Sequence, residues 1–571
     1  MKFELEDKRK AVIAEPGNVL VMGGPGAGKT TLAILKAQQR MPSFKPGQTA
    51  LFLSFSRAAV QQILLRCRSV LSRDEMQQIE VRTYHSFCWE LLKYHGRALG
   101  GVPLKMVTPG QEGVMRTQFA GDWAPERHRL LNDEARISFE VFAHAAARLV
   151  EESKHIRAGI ADAHPLMILD EFQDTDDDQW RLVNALSGAT KSVFLADPEQ
   201  RIYGYRSGVR ADRLDILRKT IGLKETDLEA DNFRSPASDV LRYANAIVAG
   251  KAPERCKDVT VHTYKPFLNM FNSTVHFHVG QMLADLRKRG IADPSVAVLA
   301  ASNDLVATIS EVLSGNRNFG RVALKPIAHD TAWDAELSAA SALAVAALLE
   351  QASAYSENAR IASLHRVRDY WLLKKDWYEQ NGREGAKTAN DRANRFGGAA
   401  ALLRAGKAIR AGGPQLIANF NPDLSGDPVA DWRCARGLCA GHDDLKDIAS
   451  QARMVRLSQM RDPLAMALGS IWSESATYIG AVRTVSAVLD QQRLIGSDQT
   501  PRGCVLMTLH KSKGKEFDGV VIVEGYHTGF LMKADEAPGY ESSRRVLRVG
   551  ITRARHAVRI IRPDGAIAFF N

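Results

Sequence analysis

Two short stretches hold residues whose types and spacing could handle a nucleoside triphosphate. Gly23 to Thr30 reads GGPGAGKT and fits G-x-x-x-x-G-K-[ST] in full. Gly23, Gly24, Gly26 and Gly28 let the backbone turn and bring its N–H groups close to phosphate oxygens. Lys29 can reach the β- and γ-phosphates, and the Thr30 hydroxyl can ligate Mg²⁺. A helix starting near Lys29 points its positive end at the anion. The second stretch is Leu166-Met167-Ile168-Leu169 followed by Asp170-Glu171. Aliphatics ending in two carboxylates supply one group to hold the metal and another to polarise an attacking water. ATP or GTP binding is the expectation; what hydrolysis drives must be read elsewhere. Cys434, Cys439 and His442 also lie close together. Zinc sites usually take four ligands and pair two close knuckles. No second pair follows, so unliganded thiols are expected.

Positioning these groups requires strands and helices in alternation. Val19–Met22 reads as a buried strand before the glycine loop, with a helix after it. Ala50–Ser56, Ile79–Arg82, Leu166–Leu169 and Ser192–Ala196 read as further strands, the last ending near Asp197 and Gln200. Such alternation predicts an α/β fold with parallel sheets and flanking helices. The polar residues fall at or just past strand C-terminal ends, where such sheets bind ligands.

Composition sets the bounds. A chain of 571 residues is too long for one core and predicts three or four domains or subdomains. No apolar run is long enough to span a bilayer; Ala339–Leu349 reads as a buried helix. Met1–Lys10 is too charged for a secretory leader, and six scattered cysteines fit a reducing cytoplasm. A net charge of +11 leans toward a polyanionic partner.

Asp170-Glu171-Phe172-Gln173-Asp174-Thr175 resembles the DEFQDT signature of superfamily 1A helicases, the UvrD/Rep/PcrA group. Other stretches resemble that family's motifs in the same order. Ser54–Ala59 resembles motif Ia, Thr83–Phe87 motif Ib, Ala196–Arg206 motif III and Asn232–Ser235 motif IV. Met507–Phe517 resembles motif V and Val549–Arg555 motif VI. The resemblance implies two RecA-like P-loop NTPase domains, each carrying a mostly helical insertion. Domain 1A would take 1–90 and 160–230, and a short insertion 1B would take 91–159. Domain 2A would take 231–350 and 501–571, and insertion 2B would take 351–500.

The resemblance also implies roles. Lys29, Glu171, Gln200, Arg234 and Arg553 would be catalytic, the two arginines acting as fingers in cis. Gly23, Gly24, Gly26, Gly28, Lys29, Thr30, Thr31, Phe233 and Glu516 would bind ATP, with Phe233 stacked on adenine. Thr30 and Asp170 would hold Mg²⁺. Phe55, Tyr203 and Tyr205 would stack on bases, and Thr83, His85, Arg206, Thr508 and His510 would contact a single-strand backbone. The family's glutamine before the glycine loop is replaced by Lys8 or Arg9, Arg548 replaces a common aromatic, and Lys515 a common leucine.

From Glu357 to Arg410 twelve Lys/Arg face six Asp/Glu, interleaved with Tyr370, Trp371, Trp377 and Tyr378. This stretch is either a duplex- or partner-contacting surface, governed by phosphate neutralisation, or a solvated helical face with buried aromatics. The expected function is a cytoplasmic ATP-dependent 3′–5′ DNA helicase and single-strand translocase acting at duplex junctions. The alternative is a nucleic-acid-stimulated NTPase subunit serving a partner nuclease or repair protein. Only the residues to Asn571 follow Arg555, so no fused nuclease is expected. An ATP-switched binder without turnover fits the intact carboxylates poorly.

Overall fold

A computed structural model describes residues 6–107, 112, 115–116, 119, 123–203, 208–228, 233–235, 238–253, 256–331, 335–380, 385–410, 412–452, 463–495 and 503–570. The chain divides into two compact units. Unit one comprises Met1–Leu104, Glu140–Ala332 and Asp498–Asn571; unit two comprises Lys105–Phe139 and Trp333–Ser497.

Unit one contains two parallel sheets. The first holds β1 (Asn18–Met22), β2 (Ala50–Ser54), β3 (Ile79–Thr83), β4 (Leu166–Leu169), β5 (Lys191–Ala196) and β6 (Leu223–Asp227) in the order β3-β2-β4-β5-β1-β6. The second holds β7 (Val259–Tyr264), β8 (Val296–Ala300), β9 (His329–Thr331), β10 (Cys504–Thr508), β11 (Phe517–Val523) and β12 (Ala554–Pro563) in the order β9-β10-β8-β11-β12-β7. The apolar runs explain the pattern: strands such as β2, β4, β8 and β10 are buried along their whole length, as parallel strands covered on both faces must be. In register, Leu20 pairs with Phe194 and Phe52 with Ile168. Because every pairing in the first sheet is parallel, the C-terminal ends of its strands share one edge. That edge carries the glycine loop, Phe55, Asp170 and Asp197.

Unit two is mainly helical. The alanine-rich segment read as a buried helix lies in Ala335–Ser353. It packs in a core with Tyr370, Trp371, Phe396, Trp432 and Tyr478. A short parallel strand pair, Lys105–Val107 with Arg136–Ser138, also belongs to this unit. Arg116 Nε donates to Asp376 Oδ2 at 3.0 Å, joining the two sequence segments that build it.

The aromatics of the basic stretch are therefore mostly core: Tyr370 and Trp371 are 0% and 1% exposed. Several of its cations are engaged within the unit. Arg360 Nε donates to the Ala418 carbonyl, Lys374 pairs with Asp447, and Arg392 and Arg395 share Asp444. Lys387, Arg404, Lys407 and Arg410 are exposed. Cys439 is buried in the same core and Cys434 is exposed. Among the described residues no group of three His, Cys, Asp or Glu is arranged to hold a metal ion, and no helix is long and apolar enough to cross a membrane.

Candidate nucleotide and nucleic-acid site

β1 runs into the glycine loop, and the loop runs into helix α2 (Lys29–Arg40), preceded in the chain by helix α1 (Asp7–Ala14). Gly26 and Gly28 have φ of 82° and 84°, a region that side chains disfavour, so the turn needs glycine there. Lys29 Nζ folds over the loop and donates to the carbonyls of Gly23 and Gly24 at 2.6 and 3.1 Å. Thr30 and Thr31 follow in the first turn of α2. The donors of that turn and the Lys29 ammonium make a cradle for an anion.

Arg9, on α1, is one of the two residues that could stand in for the family's glutamine. It is buried, donates from Nη2 to the Ala27 carbonyl at 3.0 Å, and lies 5.0 Å from the centre of the Phe233 ring. Phe233 is itself tied to the loop, its N–H donating to the Gly26 carbonyl at 2.8 Å. Its exposed ring (48%) leaves an apolar surface beside the phosphate cradle.

Asp170 and Glu171 follow β4. Ser54 Oγ donates to Asp170 Oδ2 at 3.5 Å. Burial and the adjacent Glu171 push the Asp170 carboxyl upward; a divalent cation is the partner that keeps such a carboxylate ionised. Glu171 has φ 53°, one of four non-glycine residues in the left-handed region among those described. Burial acts to raise its carboxyl, but Lys513, Lys29 and a hydrogen bond from Gln173 prevail and hold it well below the usual range. Gln173 Nε2 donates to Glu171 Oε2 at 2.6 Å, while its Oε1 accepts from the Asp197 N–H at 3.0 Å. One amide thus fixes the carboxylate relative to β5.

Groups from the second sheet meet this edge. Lys513, in the β10–β11 connection, lies 3.4 Å from Glu171 Oε2, pairs with Asp174, and donates to the Gln200 carbonyl at 2.8 Å. Burial acts to lower its ammonium pKa, but Glu171 and Asp174 raise it well above the ordinary lysine value. Gln200 is 3% exposed; its Nε2 donates to Asp197 Oδ2 at 2.6 Å and its Oε1 accepts from Arg553 Nη2 at 3.1 Å. β11 and β12 are neighbours that begin at Phe517 and Ala554, so Glu516 and Arg553, each one residue earlier, lie side by side. Arg234 grips Glu516 Oε1 with Nε at 2.8 Å and Nη2 at 2.7 Å, and donates from Nη1 to the Thr552 carbonyl at 3.1 Å. Burial is countered by Arg234, Arg555 and Arg553, which hold Glu516 down at about 2; burial and Arg234 lower Arg553 to about 10. Phe233 and Arg234 are consecutive, yet one binds the glycine loop and the other the second sheet.

The strand-binding candidates form a chain of neighbours. Thr83 caps the helix Tyr84–His95, which also carries His85. The Tyr84 ring lies 4.9 Å from that of Phe55. Ser56 follows, and a Cβ on Gly514 would lie 3.3 Å from its Oγ. Next to Gly514, Lys513 lies 5.6 Å from the Tyr203 ring centre. The Tyr203 hydroxyl donates to the His510 carbonyl at 3.4 Å. Thr508 is buried, and its Oγ1 accepts from the Lys511 N–H at 3.4 Å, so this hydroxyl turns inward. Tyr205, Arg206 and Asn232 lie outside the described residues. Sequence reasoning singled out neither Lys513, Asp174 and Gln173 nor Arg9's stacking, although all but Arg9 lie inside stretches matched to the family motifs.

A glycine loop and paired carboxylates at one parallel sheet, faced by arginines of a second, define a P-loop NTPase with two RecA-like domains. Comparisons place it more closely. The model of the UvrD/REP helicase N-terminal domain matches residues 5–117 and 103–216, and that of the UvrD-like helicase C-terminal domain matches 503–561. DNA helicase II of Haemophilus influenzae is 24% identical over 97% of this chain and 83% of its own length. ATP-dependent DNA helicase Rep of Escherichia coli is 23% identical over 96% and 89%. RecBCD enzyme subunit RecB of Mycolicibacterium smegmatis is 29% identical over 27% of this chain and 14% of its own. The chain belongs to the UvrD-like superfamily 1A helicases.

Proposed function

We propose that the chain is an ATP-dependent DNA helicase that tracks single-stranded DNA 3′ to 5′ and opens duplex junctions in the cytoplasm. The observation that supports this most is that Lys513 and Arg553, from the second sheet, reach Glu171 and Gln200, on the first. Hydrolysis at one sheet is then felt by the other.

The residues fit ATP with a divalent cation. Gly23, Gly24, Gly26, Gly28, Lys29, Thr30 and Thr31 would hold the phosphates, and Phe233 the base. Thr30 and Asp170 would hold Mg²⁺, while Glu516 would steady Arg234 on the nucleotide's far side. When bound, the ion supplies neutralisation of phosphate charge. Glu171, kept ionised by Lys513 and Lys29, takes the proton of the attacking water. Gln200 orients that water, and Arg234 and Arg553 stabilise charge developing on the transferred group. Loss of the terminal phosphate removes what the arginines face, and the two sheets part. A strand held by Phe55, Thr83, His85, Tyr203, Tyr205, Arg206 and His510, with Thr508 turned inward to brace the loop that carries His510, is gripped alternately. The polarity rests on family resemblance.

The test is ATP turnover with and without single-stranded DNA or RNA, beside unwinding of 3′- and 5′-tailed duplexes. The expected result is stimulation by DNA and opening of the 3′-tailed substrate. Turnover indifferent to every nucleic acid overturns the reading. Tyr203→Ala should weaken single-strand stimulation by about tenfold, the scale of one lost base stack; an unchanged response removes Tyr203 from the track.

A second reading, a nucleic-acid-stimulated subunit working beside a nuclease or repair protein, is supported by the regional likeness to RecB, itself named as a subunit of RecBCD enzyme. DNA-stimulated turnover without unwinding by the isolated chain would favour it.

A further inference from the structure

Helix α3 (Glu541–Ile551) carries Arg548, to which neither the motifs nor the mechanism above gives a role. It is 5% exposed. Its Nε donates to Asn245 Oδ1 at 3.3 Å. Its Nη1 lies 3.5 Å from Asp197 Oδ2 and has no hydrogen-bond partner among the described residues. That carboxylate oxygen already accepts from Gln200 Nε2 at 2.6 Å. Nη2 faces the glycine loop: a Cβ on Gly24 would lie 3.8 Å from it. Lys29 Nζ donates to the Gly24 carbonyl, whereas Phe233 is tied to Gly26. Arg548 therefore meets the loop at its lysine side, away from the apolar surface.

A guanidinium taken out of water needs close, hydrogen-bonded compensation. Arg234 has it from Glu516 and Arg553 from Gln200 and the Val549 carbonyl. Arg548 has a neutral amide and part of a carboxylate already in use, and it stands against a loop built to hold an anion. We infer that Arg548 binds the terminal phosphate of the bound nucleotide, as a third arginine from the second sheet, and so distinguishes triphosphate from diphosphate. When the nucleotide enters, the long contact to Asp197 gives way to the phosphate, and Asp197 is left to Gln200.

This rests on the ATP-site reading, and the test separates the two. Fluorescent mant-AMPPNP and mant-ADP are titrated, with Mg²⁺, into the full chain and into Arg548→Met, which keeps length without charge, and Arg548→Lys. The expected result is an affinity loss of about tenfold for the triphosphate analogue, the scale of one charge-assisted hydrogen bond, with ADP changed less than about threefold and the lysine variant between. Retained ADP binding also reports a folded site. Equal losses for both nucleotides, or none for either, overturn the inference. Should Arg548→Met fail to fold, Arg548→Lys decides by the same ratio. A wild-type chain that binds neither nucleotide takes down the ATP-site reading instead.

Discussion

Arg553 in unit one is buried and Arg392 in unit two is half-buried; both find partners within their own unit, but their surroundings differ in kind. Arg392 stacks 4.5 Å from the Trp371 ring centre and pairs with Asp444, a carboxylate 5% exposed that also takes Arg395. Its charge is answered within its own helical unit. Arg553 is 2% exposed, has another arginine as its strongest repulsive neighbour, and donates to a neutral amide on the opposite sheet. Its donors meet neutral groups, Gln200 Oε1 and the Val549 carbonyl, and it forms no ion pair among the described residues. A count of basic residues therefore says little about polyanion binding until each cation's partner is known.

The largest effect that could break this contrast is at Glu171, the proposed base. Glu171→Gln should lower the rate of ATP turnover by at least about a thousandfold while single-strand binding survives, since the missing group acts on the reaction and not on the strand. Normal turnover would remove Glu171 as base.

Next come the two arginines themselves. Arg553→Ala should cut turnover by about 10³-fold, the lower end for an arginine finger, with a small change in melting temperature. Arg392→Ala should leave turnover within about twofold and cost about 1–2 kcal/mol of stability, because Asp444 loses one of its two arginines and keeps Arg395. Steady-state kinetics and denaturation of both variants check it; a reversed pattern would erase the distinction.

Lys515 sharpens the contrast by pH. Half-buried, it meets Met507 Sδ at 3.8 Å and forms no ion pair among the described residues. Burial and Lys511 lower it to about 8 from 10.5. Between those values the unfolded chain binds the proton more than the folded one, so stability contributed here rises with pH. Lys515→Met should melt higher than wild type at pH 7, and the gap should close toward pH 10. A constant gap would show that the ammonium is not disfavoured.

The smallest effect concerns the cations of unit two that do face water. Reversing Lys387, Arg404, Lys407 and Arg410 to Glu should flatten the salt dependence of duplex binding by a few units of slope if they meet phosphate. Basal turnover should stay put. An unaltered slope would leave the whole basic stretch structural.

The glycine loop and the strand ending in Asp170-Glu171 were legible because their chemistry depends on neighbours in sequence. Strand ends were legible to within about two residues, since buried parallel strands read as continuous apolar runs. The fate of the Glu357–Arg410 charges was not, because the partners Asp444 and Asp447 lie beyond that stretch. Lys513 escaped notice for the same reason: Asp174 is 339 positions away in the chain. Arg548 could be seen only as an odd residue in a familiar motif. Its meaning depends on Gly24, which the fold, and no spacing rule, brings near.

The twisted backbone at Glu171 has a practical corollary. A side chain held at φ 53° costs on the order of 1–3 kcal/mol, and glycine would sit there at ease. Glu171→Gly would release that strain but would also take the carboxylate from Lys513 and Gln173, so the backbone gain and the lost contacts oppose each other. A screen for toughness at this position should score ATP turnover alongside melting temperature.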